Sequence, residues 1–224
     1  MSESCAVKRR RPIALAAGIA AAAGYALLVR PWHLRWGARR EEIERAMPAD
    51  DVVELPSSVT NRAITIEARP EEIWPWLAQM GESPRGGFYS YLWVERLMGM
   101  NVQNADRILP GAQDLEIGKA LDRAGNLIVK AFEPGRHLVL GPAPKAGLEA
   151  TWAMALYPEG DAATRLVSRV RSRPGRSLKG LFWTVLLDPG QFLMERRMLL
   201  GIKRRAENGS RAASSPGQRF ALHG

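Results

Sequence analysis

Four aromatic side chains between positions 88 and 93 form the first of two stretches whose residue types could do chemistry. Phe88, Tyr89, Tyr91 and Trp93 directly follow a glycine-rich run at 81–87. Tyr and Trp combine a large apolar body with a polar group, which suits a pocket that must orient an apolar ligand. The same residues could instead pack in an ordinary core or take part in catalysis, and the sequence leaves these alternatives open.

The second stretch places Asp106 next to Arg107. A buried arginine can bind a carboxylate or phosphate through two parallel hydrogen bonds, and a buried aspartate with a raised pKa can act as a base. Adjacent residues on a helix do not face each other, so the alternative is that Asp106 caps a helix. We retain the pair as candidate ligand-binding residues, and add Trp76, Trp152 and Met154 as candidate cavity-lining residues.

The other chemistry-bearing residues argue against a metal enzyme or a hydrolase. The histidines at positions 33, 137 and 223 fall in three different segments, and the single cysteine, Cys5, lies near the N-terminus. No Ser/His/Asp order, zinc-ligand spacing, phosphate-binding loop or dinucleotide motif occurs in the sequence. We therefore predict no metal and no cofactor, and the sequence identifies no catalytic residue.

The net charge of +9 is concentrated in one part of the chain. Residues 165–205 hold eleven basic and two acidic side chains. Such a surface suits an anionic membrane or a nucleic acid, or is simply solvated. Arg165, Arg169 and Arg171 alternate with less polar residues, which predicts a strand with one solvated face. Binders of single-stranded nucleic acid interleave aromatic and basic residues, whereas this chain separates them, so we predict no nucleic-acid partner.

A run without charged residues occupies positions 13–29. Its 17 residues would span roughly 26 Å as a helix, slightly less than the hydrocarbon core of a bilayer. Trp32, His33 and Trp36 beyond its end are typical of a membrane interface, while basic residues on both sides leave the orientation open. We predict a single-pass membrane anchor, with a cleaved signal peptide and a buried helix as alternatives.

The elements that must position the candidate residues begin with a strand over 62–68, where apolar and polar residues alternate. A helix should follow over 69–80, because Pro70 and two glutamates suit its first turn. Pro75 is expected to kink or shorten this helix. A second helical segment is predicted over 90–100.

The second half of the chain predicts a sheet followed by a helix. Short apolar runs separated by turn sequences over 119–173 indicate a meander of antiparallel strands. Apolar residues at helical spacing over 189–207 predict a long amphipathic helix with Asp188 as its N-cap and Pro189 at its first position. The predicted parts of the chain are a basic tail (1–11), a transmembrane helix (12–29), a juxtamembrane connector (30–58), an α+β domain (59–207) and a disordered tail (208–224).

Several of these segments resemble a known family. The stretches "ITIEARPEEIWPWLAQMG", "GGFYSYLWVERLMGMNVQNADRILP", "FEPGRHLVLG", "ATWAMALYP", "LVSRVRSR" and "GQFLMERRMLLGIKRRAE" are similar to the polyketide cyclase/dehydrase-like branch of the START-related (SRPBCC) superfamily. The resemblance covers roughly residues 59–207 and, with "RPWHLRWGA", points to a bacterial membrane-anchored subfamily of unassigned function. It implies an α+β helix-grip fold, in which a curved antiparallel sheet wraps around a long C-terminal helix and encloses a hydrophobic cavity.

Two functions are compatible with these observations. The first is a membrane-tethered binding or carrier domain for a hydrophobic small molecule or lipid, located in the bacterial inner or plasma membrane. The second is a cyclase- or dehydratase-like enzyme that acts on a polyketide-like or lipid substrate, with Tyr89, Tyr91, Asp106 and Arg107 as its polar groups. The sequence favours a ligand-binding protein over an enzyme.

Overall fold

The protein has an α+β fold built from a five-stranded antiparallel sheet and a long C-terminal helix, as the sequence predicts. In this computed structural model the described residues are 18, 20, 23–146, 148–173 and 178–214. Side chains are described for these residues except at 146, 178–187 and 212–214. Residues 215–224 of the predicted tail (208–224) and the basic residues before position 18 lie outside the described residues.

The sheet is a meander with the first strand added at one edge. Its strands are β1 (Ser58–Ile66), β2 (Leu127–Glu133), β3 (His137–Pro142), β4 (Glu149–Glu159) and β5 (Ala163–Arg173). They lie in the order β1-β5-β4-β3-β2, and every neighbouring pair is antiparallel. Gly135 (φ +73°) and Gly160 (φ +69°) occupy the left-handed region in the turns after β2 and β4, where a side chain would be strained.

Five α-helices whose two ends both lie in the described part of the chain accompany the sheet. They are α1 (Arg30–Leu34), α2 (Arg40–Glu44), α3 (Pro70–Ala78), α4 (Leu92–Leu97) and α5 (Leu178–Ser214), with a π-helical turn at Tyr25–Val29 before α1. The predicted start of α3 is confirmed: Pro70 is its first residue, and the Glu72 carboxylate accepts a hydrogen bond from the Arg69 backbone N–H at 2.8 Å. Pro75 lies within α3, which ends only three residues later.

Helix α5 is longer than predicted at both ends. Its backbone is helical from residue 178 to residue 214, so Pro189 lies inside the helix and Asp188 does not cap it. Residues 208–214, predicted to belong to a disordered tail, are the last residues of this helix. The carboxylate of Asp188 instead forms an ion pair with Arg30 of α1, with 2.9 Å between Nη2 and Oδ2. The apolar run at 181–187 therefore continues the helix, although nothing in its sequence distinguishes a helix from a buried strand.

The main core lies between the inner face of the sheet and the helices α3 and α5. Ile66, Met154 and Leu166 project from the sheet and are fully buried. Met198 and Ile202 of α5 belong to the same cluster. This face carries the even-numbered residues of β1, β4 and β5, because side chains alternate between the two faces of a strand.

The outer face of the sheet is covered by the connector, residues 30–58, rather than by solvent. Small side chains of the sheet, including Ala153 and Val167, pack there against Met47 of the connector. The backbone N–H of Ala63 in β1 donates to the carbonyl of Trp36. The predicted connector is thus an integral layer of the domain.

The arginines of β5 bind this layer, which corrects the prediction of a solvated face. Arg165 holds Glu42 through two hydrogen bonds, from Nε and Nη2, of 2.7 Å each. Burial by itself would raise the pKa of Glu42, but these hydrogen bonds and one from the Arg39 backbone lower it. Arg169 is 4% exposed and donates to the Asp50 carboxylate and to the carbonyls of residues 42, 43 and 45. Arginine has enough donors to be buried in this way once acceptors surround it.

The aromatic residues predicted to lie at a membrane interface pack against α5 instead. His33 is 2% exposed, and its ring centroid lies 5.5 Å from that of Phe192. The rings of Trp36 and Trp32 lie 6.2 and 5.4 Å from that of Phe192, although Trp32 remains 59% exposed. In the described part of the chain no helix has both the length and the apolar character needed to cross a membrane. Residues 12–17, 19, 21 and 22 of the predicted span lie outside that part.

Candidate functional site

A cavity of about 210 Å³ lies where α4 and α5 approach the inner face of the sheet. Strands β2 and β4 and the loop before α4 complete its walls. The apolar side chains that form most of the wall are Phe88, Met98, Met100, Leu127, Trp152 and Met198. The cavity is therefore suited to an apolar guest, and side chains do not fill it.

The loop that carries Phe88 is pinned by a single asparagine. Asn104 Oδ1 accepts a hydrogen bond from the Tyr89 backbone N–H at 2.7 Å, and Asn104 Nδ2 donates to the Ser90 carbonyl at 3.0 Å. Ser90 Oγ then donates to the backbone carbonyl of Met194 on α5 at 2.9 Å. These bonds fix the distance between the aromatic loop and α5, and so maintain the gap between them.

The indole of Trp152 forms the floor of the cavity on the sheet side. Its Nε1–H donates to Ser168 Oγ on the neighbouring strand β5 at 2.9 Å. A Trp whose polar hydrogen is satisfied in this way presents its apolar body to the cavity without a buried unsatisfied donor. The ring is consequently held in one orientation.

Glu95 is the most unusual residue of the site. It lies on α4, lines the cavity and is 2% exposed. Neither of its carboxylate oxygens has a hydrogen-bond partner among the residues that the structure describes. Burial raises the pKa of Glu95, because a carboxylate loses its hydration in an apolar environment.

A second carboxyl, that of Glu195 on α5, lines the same cavity. Its Oε2 accepts a hydrogen bond from Nη1 of Arg62, a β1 residue that is fully buried. Arg62 Nε also donates to the His33 carbonyl at 3.0 Å. Burial raises the pKa of Glu195, and the Arg62 guanidinium opposes that rise. The site therefore contains two carboxyl groups and one buried cation.

Of the nine residues proposed from the sequence, Phe88 and Trp152 line this cavity. Trp76, Tyr89 and Met154 are buried in the adjoining core. The Tyr89 hydroxyl donates to the Trp76 carbonyl at 3.0 Å, so it is not a free polar group of the cavity. These three residues belong to the core that packs against the cavity walls.

The other four candidates lie on the surface. Trp93 is 69% exposed and Tyr91 is 38% exposed. Asp106 and Arg107 are exposed as well, and the Asp106 carboxylate accepts a hydrogen bond from Arg205 at 2.7 Å. The structure does not bring these four together with the cavity.

Sequence reasoning missed Glu95, Glu195 and Arg62, although each carries a detectable signal. Glu95 follows Leu92 by three positions and precedes Met98 by three, so it shares their helical face. Glu195 and Arg62 likewise stand in phase with the apolar residues of their own elements. A charged residue inside an apolar periodic pattern is the signal that identifies a buried charge.

Two larger clefts near Arg85, of about 550 and 490 Å³, are less suited to an apolar ligand. They lie at the surface between Ser83 and the loops that contain Leu109. The Arg85 guanidinium already donates to the carbonyls of Met80, Ala78 and Ala112. It therefore stabilises the loops and has little donor capacity left for a ligand.

Comparisons with known proteins find several solved structures to which the chain is similar. DR_A0006 from Deinococcus radiodurans is 20% identical, with 68% of this chain and 99% of that chain covered and a TM-score of 0.38. The Aha1 dimer from Colwellia psychrerythraea is 14% identical (68% and 98% covered, TM-score 0.41). NE0264 from Nitrosomonas europaea is 11% identical (68% and 96% covered, TM-score 0.45).

No family model and no curated protein matches the chain. At the identities and TM-scores of the structural neighbours, the similarities assign neither a family nor a function. The architecture itself, a five-stranded antiparallel sheet with a long C-terminal helix, is compatible with the helix-grip class that the sequence resembles. The function must therefore be argued from the cavity.

Proposed function

We propose that this domain binds a small hydrophobic molecule in the cavity beneath α5. The observation that carries the proposal is the apolar space between Phe88, Trp152 and Met198, which the surrounding side chains leave open. An apolar space of this kind accepts apolar guests, because water gains few hydrogen bonds against apolar walls. A bound ligand then buries apolar wall surface that is left uncovered in the empty domain.

The size of the cavity limits the ligand. A cavity of about 150 Å³ accommodates benzene, so about 210 Å³ suits a molecule of roughly eight or nine non-hydrogen atoms. A substituted single ring or a short acyl chain has this size. A complete membrane lipid does not, and could place only part of one chain in the cavity. We therefore favour a small molecule over a lipid as the partner.

The positions of the polar groups favour binding over catalysis. The enzyme alternative relied on Tyr89, Tyr91, Asp106 and Arg107, and none of these four described residues lines the cavity. The Tyr89 hydroxyl donates its hydrogen bond to the Trp76 carbonyl, and the Asp106 carboxylate accepts one from Arg205. No acid–base arrangement built from these groups supports a reaction.

Binding is tested with the full chain, because the connector is part of the fold. Titration with propylbenzene, followed by calorimetry, should show saturable binding to one site. Leu127→Trp fills the cavity from β2 and should weaken binding at least about tenfold, which corresponds to the loss of most of the apolar contact. Ile117→Trp adds the same ring at a position that is 73% exposed and should leave the affinity unchanged. Equal affinities for both variants, or no binding to the parent chain, would refute the proposal.

We also propose that the segment at 12–29 tethers the domain to a membrane. The support is the charge-free run of 17 residues at 13–29 and the basic residues that flank it. The full chain should stay with the membrane fraction after an alkaline wash, and deletion of 12–29 should release it. Recovery of the intact full chain in the soluble fraction would contradict the tether.

A further inference from the structure

Glu95 is a costly residue in its position. Its side chain is 2% exposed, and both oxygens lack partners in the described part of the chain. Burial of a carboxyl group without hydrogen bonds is unfavourable even when the group is neutral, and far more so when it is charged. A methionine or leucine would fill the same position without this cost. The carboxyl group therefore needs a partner that the described part of the chain does not supply.

We propose that the ligand of this cavity is a hydrophobic amine whose protonated nitrogen binds the Glu95 carboxylate. This inference rests on the proposed function and specifies the chemistry of its ligand. The ammonium group provides three donors and a positive charge, so it satisfies both unpartnered oxygens and neutralises the carboxylate in one contact. The apolar body of the amine then occupies the space between Phe88 and Trp152.

The charge balance of the site favours a cation over an anion or a neutral ligand. Glu195 is the other titratable residue that lines the cavity, and it is already paired with Arg62. Ionised Glu95 therefore leaves the site with one uncompensated negative charge. A ligand carboxylate would add a second, which is strongly unfavourable in an apolar environment.

The walls also suit an amine. The aromatic rings of Phe88 and Trp152 line the space beside Glu95, and aromatic faces attract cations. The thioethers of Met98, Met100 and Met198 adapt easily to the shape of an apolar body. Together they supply a binding surface for both parts of an amphipathic amine.

The test compares four probes of similar size that differ in one group: phenethylamine, 2-phenylethanol, propylbenzene and phenylacetate. Calorimetric titration of the full chain at pH 8 should give phenethylamine the highest affinity, roughly tenfold to a hundredfold above propylbenzene, as expected for a charge-assisted hydrogen bond. Phenylacetate should bind most weakly. Repeating the amine titration in two buffers of different ionisation enthalpy measures the protons exchanged on binding, and the direction should be release, because burial raises the pKa of Glu95 in the empty cavity and the bound ammonium lowers it.

The variant Glu95→Gln separates a ligand contact from a structural role. It keeps the shape of the side chain but cannot form an ion pair with an ammonium group. The preference for phenethylamine and the proton release should therefore both disappear. The affinity for propylbenzene should remain. Glu54→Gln, at an exposed position in the connector, should leave all four affinities and the proton release unchanged.

The outcomes distinguish this inference from the proposed function. If propylbenzene binds and phenethylamine binds no more tightly, the cavity takes apolar ligands and the amine inference is wrong. The same conclusion holds if Glu95→Gln retains the amine preference. If none of the four probes binds, the proposed function fails and the amine inference fails with it.

Discussion

Replacing Glu95 by methionine should make the protein more stable. The Glu95 carboxyl is buried without a hydrogen-bond partner in the described part of the chain. Such a group costs about 1–3 kcal/mol even in its neutral form. Methionine has a similar length, no polar atom that needs a partner, and neighbours at Met98 and Met100 that it can contact. The free energy of unfolding at pH 7 should therefore rise by about 1–3 kcal/mol.

The gain should also depend on pH, with a sign that follows from the raised pKa of Glu95. Between its ordinary value of 4.5 and the raised pKa of the folded state, the carboxyl loses its proton in the unfolded chain but retains it in the folded one. The folded state then binds more protons, so the contribution of Glu95 to stability falls as the pH rises. Glu95→Met removes this decline. The stability difference between the variant and the parent should consequently be smaller at pH 4 than at pH 7.

Urea denaturation followed by circular dichroism at both pH values measures this difference. Glu54→Met is the matched control, because Glu54 is exposed; it should change the stability by less than about 0.5 kcal/mol at either pH. A Glu95→Met protein that is less stable than its parent at pH 7 would show that the carboxyl has a stabilising partner. The reasoning about Glu95, including its role toward an amine, would then be refuted.

Two further predictions concern the layers on either side of the sheet. Arg169→Met should lower the free energy of unfolding by about 3 kcal/mol or more, because it removes a buried donor from three carbonyls and one of the donors from Asp50. The exposed Arg136→Met should cost less than about 1 kcal/mol. Gly201→Ala should lower the free energy of unfolding by about 1–3 kcal/mol, because the added Cβ would lie 2.8 Å from the Tyr89 carbonyl oxygen. Gly209→Ala should not destabilise the protein, because a Cβ there meets nothing within 4 Å. Thermal unfolding checks both pairs, and equal effects within a pair would contradict the corresponding argument.

The sequence predicts the architecture well because its local patterns agree with the tertiary structure. The start of α3 at Pro70 and the meander of strands β2 to β5 follow from turn chemistry and periodicity that act within a few residues. Phe88 and Trp152 were proposed for the cavity, and both line it. Large aromatic residues next to glycine turns or on the inner face of a strand are informative in this way.

Other features depend on contacts between distant segments and escape local reasoning. The alternation of Arg165 and Arg169 with apolar residues is the same whether water or a covering segment supplies the acceptors. Only the path of the connector over the outer face decides whether water or protein groups accept the hydrogen bonds of these arginines. Glu95 and Glu195 share a helical face with apolar residues, but each also stands next to an arginine, so a solvated position is equally compatible with the sequence. Their burial is set by the approach of α4 to α5. The start of α5 eleven residues before Pro189 was missed because a proline at a first helical position and one inside a helix have the same sequence signature.

The most direct test of a ligand cavity beneath α5 is a crystal structure of the full chain after soaking with iodobenzene. The iodine atom can be located by its anomalous scattering, without reference to the protein coordinates. The cavity predicts one strong peak bounded by Phe88, Trp152 and Met198. Crystals that show the space occupied by these side chains, with no iodine peak among them, would contradict the central claim.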